Sequence, residues 1–227
     1  MNDKQLVALQ AAKYVKSGML VGLGTGSTAN YFIDELARLS REQGLKITTV
    51  ASSTISAQRA QSLKLPIAAL EHISHIDLYV DGADEITPDK TLLKGRGSDL
   101  VKEKLLAKAA SKFIAVADAS KLVSYIGQNF VIPIEVIPFA WQLAKKSLED
   151  IGGQGDLRPN AAKDGFWVTS HGSYVLDMKF DNSLSAATLN ALINNTPGVV
   201  EHGIFLGLTD LVLIADNGVV SEYRSGE

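Results

Sequence analysis

The chain has no cysteine, which excludes disulfides, thiolate-bound metals, iron–sulfur clusters and a thiol nucleophile, and which suits a reducing compartment. It has no basic run longer than Lys145-Lys146, and its 22 Lys and Arg are outnumbered by 25 Asp and Glu, so a groove for nucleic acid is not expected. No stretch approaches the roughly 18 apolar residues of a membrane span. The opening MNDKQLVALQAAKY has amphipathic helical spacing rather than the unbroken apolar core of a signal peptide. These absences lead us to expect a cytoplasmic protein with no membrane partner, in which the Asn194-Asn195-Thr196 sequon is not an acceptor.

What is present is a folding composition: 46% hydrophobic and 21% charged residues place the chain among globular proteins rather than disordered ones. At roughly 150 residues per domain, 227 residues allow one large domain or a domain with a smaller partner. Asp3 is placed to cap a first helix carrying Val7, Ala11, Tyr14 and Val15 on one face, with Gly18 ending it. Strands are expected at 19–21, 47–51, 67–70, 76–80 and 113–117, interleaved with helices opening near Ser27, Ser53 and Asp99. That alternation indicates an α/β fold with a Rossmann-like, mostly parallel sheet. Beyond residue 127 the texture changes, with Pro133 and Pro138, a helix near 139–150, strands near 166–169 and 174–180, and a helix near 183–194. Apolar runs at 199–205 and 211–215 return and could rejoin the first sheet. The expected organisation is residues 1–127 plus 204–227 as a Rossmann-like catalytic domain, with 128–203 an inserted α+β domain.

Three segments could carry chemistry. Gly22-Leu23-Gly24-Thr25-Gly26-Ser27-Thr28 follows a strand and opens a helix. It fails the dinucleotide fingerprint because Ser27 stands where the third glycine belongs, and no Gly-Lys-Ser/Thr completes a nucleotide-binding loop. What is left is either a tight turn or a phosphate site made of helix-terminal amides and the Ser27 and Thr28 hydroxyls.

Asp81-Gly82-Ala83-Asp84-Glu85 crowds three carboxylates at the carboxyl edge of the sheet, where open α/β folds bind ligands. Their mutual repulsion suits acid and base roles; a solvated acidic turn or a Mg²⁺ site are the alternatives. Lys94-Gly95-Arg96-Gly97-Ser98-Asp99 leads into a helix bearing Glu103. Alone, Lys94, which offers a cation, and Glu103 would read as surface charges; beside the acidic loop they become candidate site residues. His72, His75, His171 and His202 suggest no metal-binding set, and no serine-hydrolase elbow is present.

Taken together, Gly22–Ala29, Asp81-Gly-Ala-Asp-Glu-Ile86, Lys94-Gly-Arg-Gly97 with Lys102-Glu103-Lys104, Ala117-Asp-Ala-Ser-Lys121, Glu135-Val-Ile-Pro138 and Pro197-Gly-Val-Val200 resemble the A-type ribose-5-phosphate isomerases, in the family's order and across nearly the whole chain. The resemblance implies reversible conversion of ribose 5-phosphate to ribulose 5-phosphate in the non-oxidative pentose phosphate pathway. It further implies a homodimer or higher oligomer, an inserted domain serving as lid and oligomerisation surface, and no metal or other cofactor.

Carried over by residue, Glu103 is the base, Asp81 and Asp84 assist ring opening and move hydroxyl protons, and Lys94 with the Gly95–Gly97 amides stabilises the oxyanion. Gly26, Ser27, Thr28, Ala29, Asn30, Tyr31, Gly82, Ala83, Gly95, Arg96, Gly97 and Lys121 fall at substrate-binding positions. These residue types suit abstraction of a proton next to a carbonyl, which needs a base within about 3 Å and fixed donors where charge develops. The chain departs from many relatives at Arg96, Ser98 and Asp99, where small residues are usual. Asp99 suits a helix cap, or its charge acts on Glu103; Arg96 reaches a substrate oxygen or points to solvent. A non-catalytic sugar-phosphate sensor and a sugar-phosphate deaminase or CoA transferase on the same fold are the competing readings.

Overall fold

Asn2 rather than Asp3 starts the first helix: its side chain accepts from the Gln5 amide at 2.8 Å. Asp3 instead lies in the first turn of α1 (Asp3–Ala12), its carboxylate accepting from the Gly218 amide at 2.9 Å. The helix stops well short of Gly18, whose positive φ of 93° serves the turn into the first strand. The computed structural model describes residues 2–97 and 99–224. They divide into two compact units, the first made of the chain up to Ala83, Lys102–Lys121 and the chain from Leu208, the second of Asp84–Val101 and Leu122–Gly207.

In the first unit, short apolar runs become the buried strands β1 (Leu20–Leu23), β2 (Thr48–Ala51), β3 (Leu78–Gly82), β6 (Phe113–Asp118) and β12 (Leu211–Asp216). They pair in parallel in the order β2-β1-β3-β6-β12, and β13 (Val219–Arg224) closes one edge antiparallel to β12. Near-continuous apolar sequence is what a strand covered on both faces requires. Helix α2 (Ser27–Gln43) ends at Gly44, left-handed at φ 69°, and α3 (Thr54–Ser62) is capped by Ser53. Val21, Leu23, Phe32, Ile33, Leu36, Val80, Ile114 and Leu213 are among the core residues. The strand expected at 67–70 is reduced to a single bridge from Ile67 to Thr49, followed by a 3-10 turn.

The second unit is larger than 128–203. Strands β4 (Glu85–Ile86) and β5 (Leu92–Leu93) pair with each other, and β5 pairs with β11 (Ile204–Phe205), which draws 84–101 and 204–207 into it. Its main sheet is antiparallel in the order β10-β7-β9-β8, from β7 (Ile132–Val136), β8 (Gln154–Leu157), β9 (Tyr174–Lys179) and β10 (Val199–His202). The 199–205 run therefore does not rejoin the first sheet; 211–216 does. Strand β7 carries Pro133, which cannot donate to a ladder, but Pro133 still accepts from the Gly203 amide at 2.8 Å. Residues 166–169 make only bridges. Helices α5 (Trp141–Asp150) and α6 (Ala186–Asn194) cover this sheet, burying Ala144, Leu148, Leu189 and Ile193 with Ile134, Leu176 and Met178. Helix α4 (Leu100–Ala109) carries the chain from the second unit into the first.

Candidate active site

The first unit's sheet changes winding direction between β1 and β3, the place where open α/β sheets bind ligands beyond their strand ends. The glycine loop leaves β1 there, and its glycines have separate jobs. A Cβ on Gly22 would fall 2.6 Å from Cδ2 of Tyr79, and one on Gly24 would fall 2.1 Å from Oδ1 of Asp81, so both positions admit only hydrogen. Gly26 has φ 109° and precedes α2 as a cap without a side-chain acceptor. The amides of Ser27, Thr28 and Ala29 thus stand at an uncapped helix end, favourable for an anion.

Lys4 Nζ donates to Ser27 Oγ at 3.1 Å. Burial alone would raise the Asp118 carboxyl, but the Ser120 hydroxyl and amide and the charges of Lys121 and Lys4 hold it below its ordinary value, which sets both cations close to the end of β6. Further along α2, the Asn30 amide donates to Gly26 O at 2.9 Å and Ala29 is buried. Tyr31 packs on the core, its hydroxyl accepting from Asn2 at 3.0 Å.

Asp81, at the end of β3, is fully buried. Its Oδ1 accepts from the amides of Thr25 at 3.0 Å and Gly82 at 2.7 Å, and its Oδ2 accepts from the Tyr79 hydroxyl. Glu103, in the first turn of α4, is 4% exposed. Burial first, then the charges of Asp81 and Glu103, push the Tyr79 hydroxyl well above its ordinary pKa, so both carboxylates bear on one phenol. Behind the glycine loop, Thr25 Oγ1 meets Ser52 Oγ at 2.9 Å and Ser53 Oγ at 2.8 Å, while Ser56 Oγ donates to Gly24 O at 2.5 Å.

Of the other two carboxylates of the 81–85 stretch, both in the second unit, each has a partner of its own. Glu85 is fully buried and accepts three amides, from Gly127 at 2.6 Å, Asn129 at 2.6 Å and Phe130 at 2.9 Å. Asp84 lies 3.8 Å from Nη1 of Arg96. The Arg96 guanidinium rests 4.0 Å from the Phe130 ring centre, and its carbonyl accepts from Arg158, itself paired with Asp177 at 2.6 Å. Arg96 is thereby turned toward Asp84.

Lys94 is 4% exposed, its Nζ 5.6 Å from the Phe205 ring centre and its amide donating to Gly203 O at 2.9 Å. Gly95 takes φ 94°, while Gly97 has open space around its Cα. Ser98 lies outside the described residues; the Asp99 charge bears on Glu135. Glu135 meets His171 Nε2 at 2.6 Å and His75 meets Asp77 at 3.3 Å, and no group of three or more potential metal ligands occurs among the described residues.

Sequence reading missed Tyr79, Thr25, Ser52 and the amide-holding role of Glu85, and it left open whether Lys4, on the N-terminal helix, reaches the phosphate. A signal existed for the first three: Tyr79 stands two residues before Asp81, and hydroxyl residues cluster at the ends of β1 and β2.

Residues 48–218 match the model of ribose 5-phosphate isomerase A (phosphoriboisomerase A). The chain is 42% identical over 218 residues to ribose-5-phosphate isomerase A of Trichodesmium erythraeum, covering 95% of this chain and 92% of the relative. It is likewise 42% identical to that of Thermococcus kodakarensis, covering 93% of each. The solved ribose 5-phosphate isomerase A of Methanocaldococcus jannaschii superposes with a TM-score of 0.92 at 38% identity, covering 98% of both chains. A D-ribose-5-phosphate isomerase structure in complex with phospho-erythronic acid superposes with a TM-score of 0.94 at 36% identity, covering 99% of this chain and 100% of the other. No helix among the described residues is long and apolar enough to cross a membrane.

Proposed function

Because the chain belongs to the ribose 5-phosphate isomerase A family and interconverts D-ribose 5-phosphate and D-ribulose 5-phosphate, we propose that it does so with Glu103 as the proton-transferring base. The observation that carries this reading is the pairing, on one unit, of two buried carboxylates, Asp81 and Glu103, with an uncapped helix end flanked by Lys4 and Lys121. The helix end and cations suit the 5-phosphate; the carboxylates suit the sugar's reacting end.

In the forward direction the ring opens, Asp81 and Asp84 exchanging the hydroxyl protons. Glu103 takes the proton from C2, and the electrons of that C–H bond form the C1–C2 double bond as the aldehyde oxygen becomes an enediolate oxygen. Lys94 and the amides of the Gly95–Gly97 loop offset that charge. Glu103 returns its proton to C1, the O2 proton leaves as C2 becomes the ketone, and O1 takes a proton. Atoms and charge balance without an oxidant. The remaining substrate contacts in this proposal come from Gly26–Tyr31, Gly82, Ala83, Arg96 and Lys121.

The chain functions, in this proposal, in the cytoplasm, in the non-oxidative pentose phosphate branch, and as a homodimer. Support for self-association is the apolar surface of the second unit, where Phe139 is 90% exposed and Leu143 76%.

The test is ribulose 5-phosphate formation by protein stripped exhaustively with EDTA, beside Glu103→Gln. Turnover that survives chelation and collapses in the variant is expected. Binding of ribose 5-phosphate without turnover would favour a sensor, and turnover lost on chelation would overturn the proton-transfer reading.

A further inference from the structure

Asp81 is placed by more than its own backbone. Its Oδ1 accepts two amides, Thr25 from the glycine loop and Gly82 from its own strand, and its Oδ2 takes the hydroxyl proton of Tyr79. Tyr79 is fully buried, its ring stacked on Phe113 with centres 4.9 Å apart and planes 25° apart. On the other side Gly22 leaves it room: any side chain there would strike the ring. The ring therefore cannot swing, and its hydroxyl is presented to Asp81 from a fixed point. Turning the carboxylate about its Cβ–Cγ bond would break contacts on both oxygens at once.

We propose that Tyr79 is a positioning residue for the isomerisation: its hydroxyl locks the Asp81 carboxylate in the orientation the reaction uses and ties it to the glycine loop through Gly22, Gly24 and Thr25. The proposal rests on the assignment of Asp81 to the reaction. It explains why two glycines of the loop are there, a pattern that otherwise resembles a failed nucleotide fingerprint: one makes space for the tyrosine, the other for the aspartate. The burial and the neighbouring charges of Asp81 and Glu103, which disfavour the phenolate, keep the proton on Tyr79, so it remains a donor across the working pH range.

The experiment is a double-mutant cycle on the full chain, measuring kcat and KM for ribose 5-phosphate in wild type, Tyr79→Phe, Asp81→Asn and the double variant. Wild-type activity is measured first, since its absence would remove the functional reading on which this one rests, and would do so before any variant is compared. With an active wild type, Tyr79→Phe is expected to lower kcat about tenfold, the scale of one lost hydrogen bond to a charged group, with KM changed less than about twofold. In the Asp81→Asn background the same substitution is expected to cost less than about twofold.

Phe113→Leu, which loosens the ring but keeps the hydroxyl, is expected to lower the melting temperature and to lower kcat less than Tyr79→Phe does. An unchanged kcat in Tyr79→Phe or an equal loss in both backgrounds would overturn the proposal. Should Tyr79→Phe fail to fold, 4-fluorophenylalanine at position 79, which nearly keeps the shape and removes the donor, carries the test: a kcat about tenfold lower supports the proposal, and wild-type kcat overturns it.

Discussion

Asp81 and Glu85 stand within one five-residue stretch, and both are fully buried carboxylates, yet their surroundings differ in kind. Glu85, in the second unit, accepts three backbone amides from residues 127–130 of that unit. Nothing that titrates near neutral pH is among those donors, and the carboxylate acts as a staple joining β4 to the loop before β7. Asp81, in the first unit, accepts two amides and a phenol whose proton also feels Glu103. A buried carboxylate saturated by amides supports structure; the one that shares its environment with a second carboxylate at a sheet's carboxyl edge is the one to which the proposed chemistry is assigned. Burial alone does not separate them; the partners do.

The comparison breaks most readily at Glu85. Glu85→Ala leaves three buried amides without their acceptor, at about 1–3 kcal/mol each, a large part of the ~5–15 kcal/mol that holds a domain together. The expected outcome is a melting temperature lower by more than about 10 °C in calorimetry. A variant melting within about 2 °C of wild type would dissolve the distinction.

Gly24→Ala probes the other side. The added methyl would sit 2.1 Å from Asp81 Oδ1, so the carboxylate or the loop must move. A misplacement of this size costs on the order of 10²-fold in kcat/KM, which steady-state kinetics would read.

Glu135 supplies an intermediate case, a fully buried carboxylate whose partner is the titratable His171 at 2.6 Å. Burial raises its pKa above the ordinary 4.5, with the His171 ring opposing that rise. The native state therefore holds a proton that the unfolded chain has released, and this contribution to stability is present below pH 4.5 and lost as pH climbs through the raised value. Glu135→Gln removes the titration, so its melting temperature relative to wild type should rise with pH just above 4.5 and then level off. A pH-independent difference would contradict this.

The smallest catalytic effect is expected on the exposed face of the second unit. If the proposed dimer forms through this face, Phe139→Ser with Leu143→Ser should convert it to monomer in sedimentation analysis while each chain keeps its fold; wild type sedimenting as a monomer would remove the proposed dimer.

These contrasts were only partly legible in the sequence. The parallel sheet was, because β1, β3, β6 and β12 are apolar runs set between glycine turns and helices, a pattern local in the chain. Strand β7 was not, since Pro133 argues against a strand and its pairing with β9 joins segments about forty residues apart. The two-residue strands β4 and β5 are too short to show any periodicity. Asp81, Asp84, Lys94 and Glu103 stood out as charged residues in glycine-rich or helix-opening contexts. Tyr79 did not, because a tyrosine in a strand reads as core, and its role appears only when Gly22 and Asp81 are brought against it. Glu85 looked like a third member of an acidic cluster because alternation along the chain says nothing about which loop turns back to meet it.

The most direct test of the account is Glu103→Gln, measured for kcat and melting temperature on the same preparation. Loss of the base with near-identical shape should lower kcat by about 10²- to 10⁴-fold while the melting temperature stays within about 3 °C. Wild-type turnover in the variant, or a loss no larger than its unfolded fraction, would show that Glu103 belongs with Glu85 as a structural carboxylate and that the chemistry lies elsewhere.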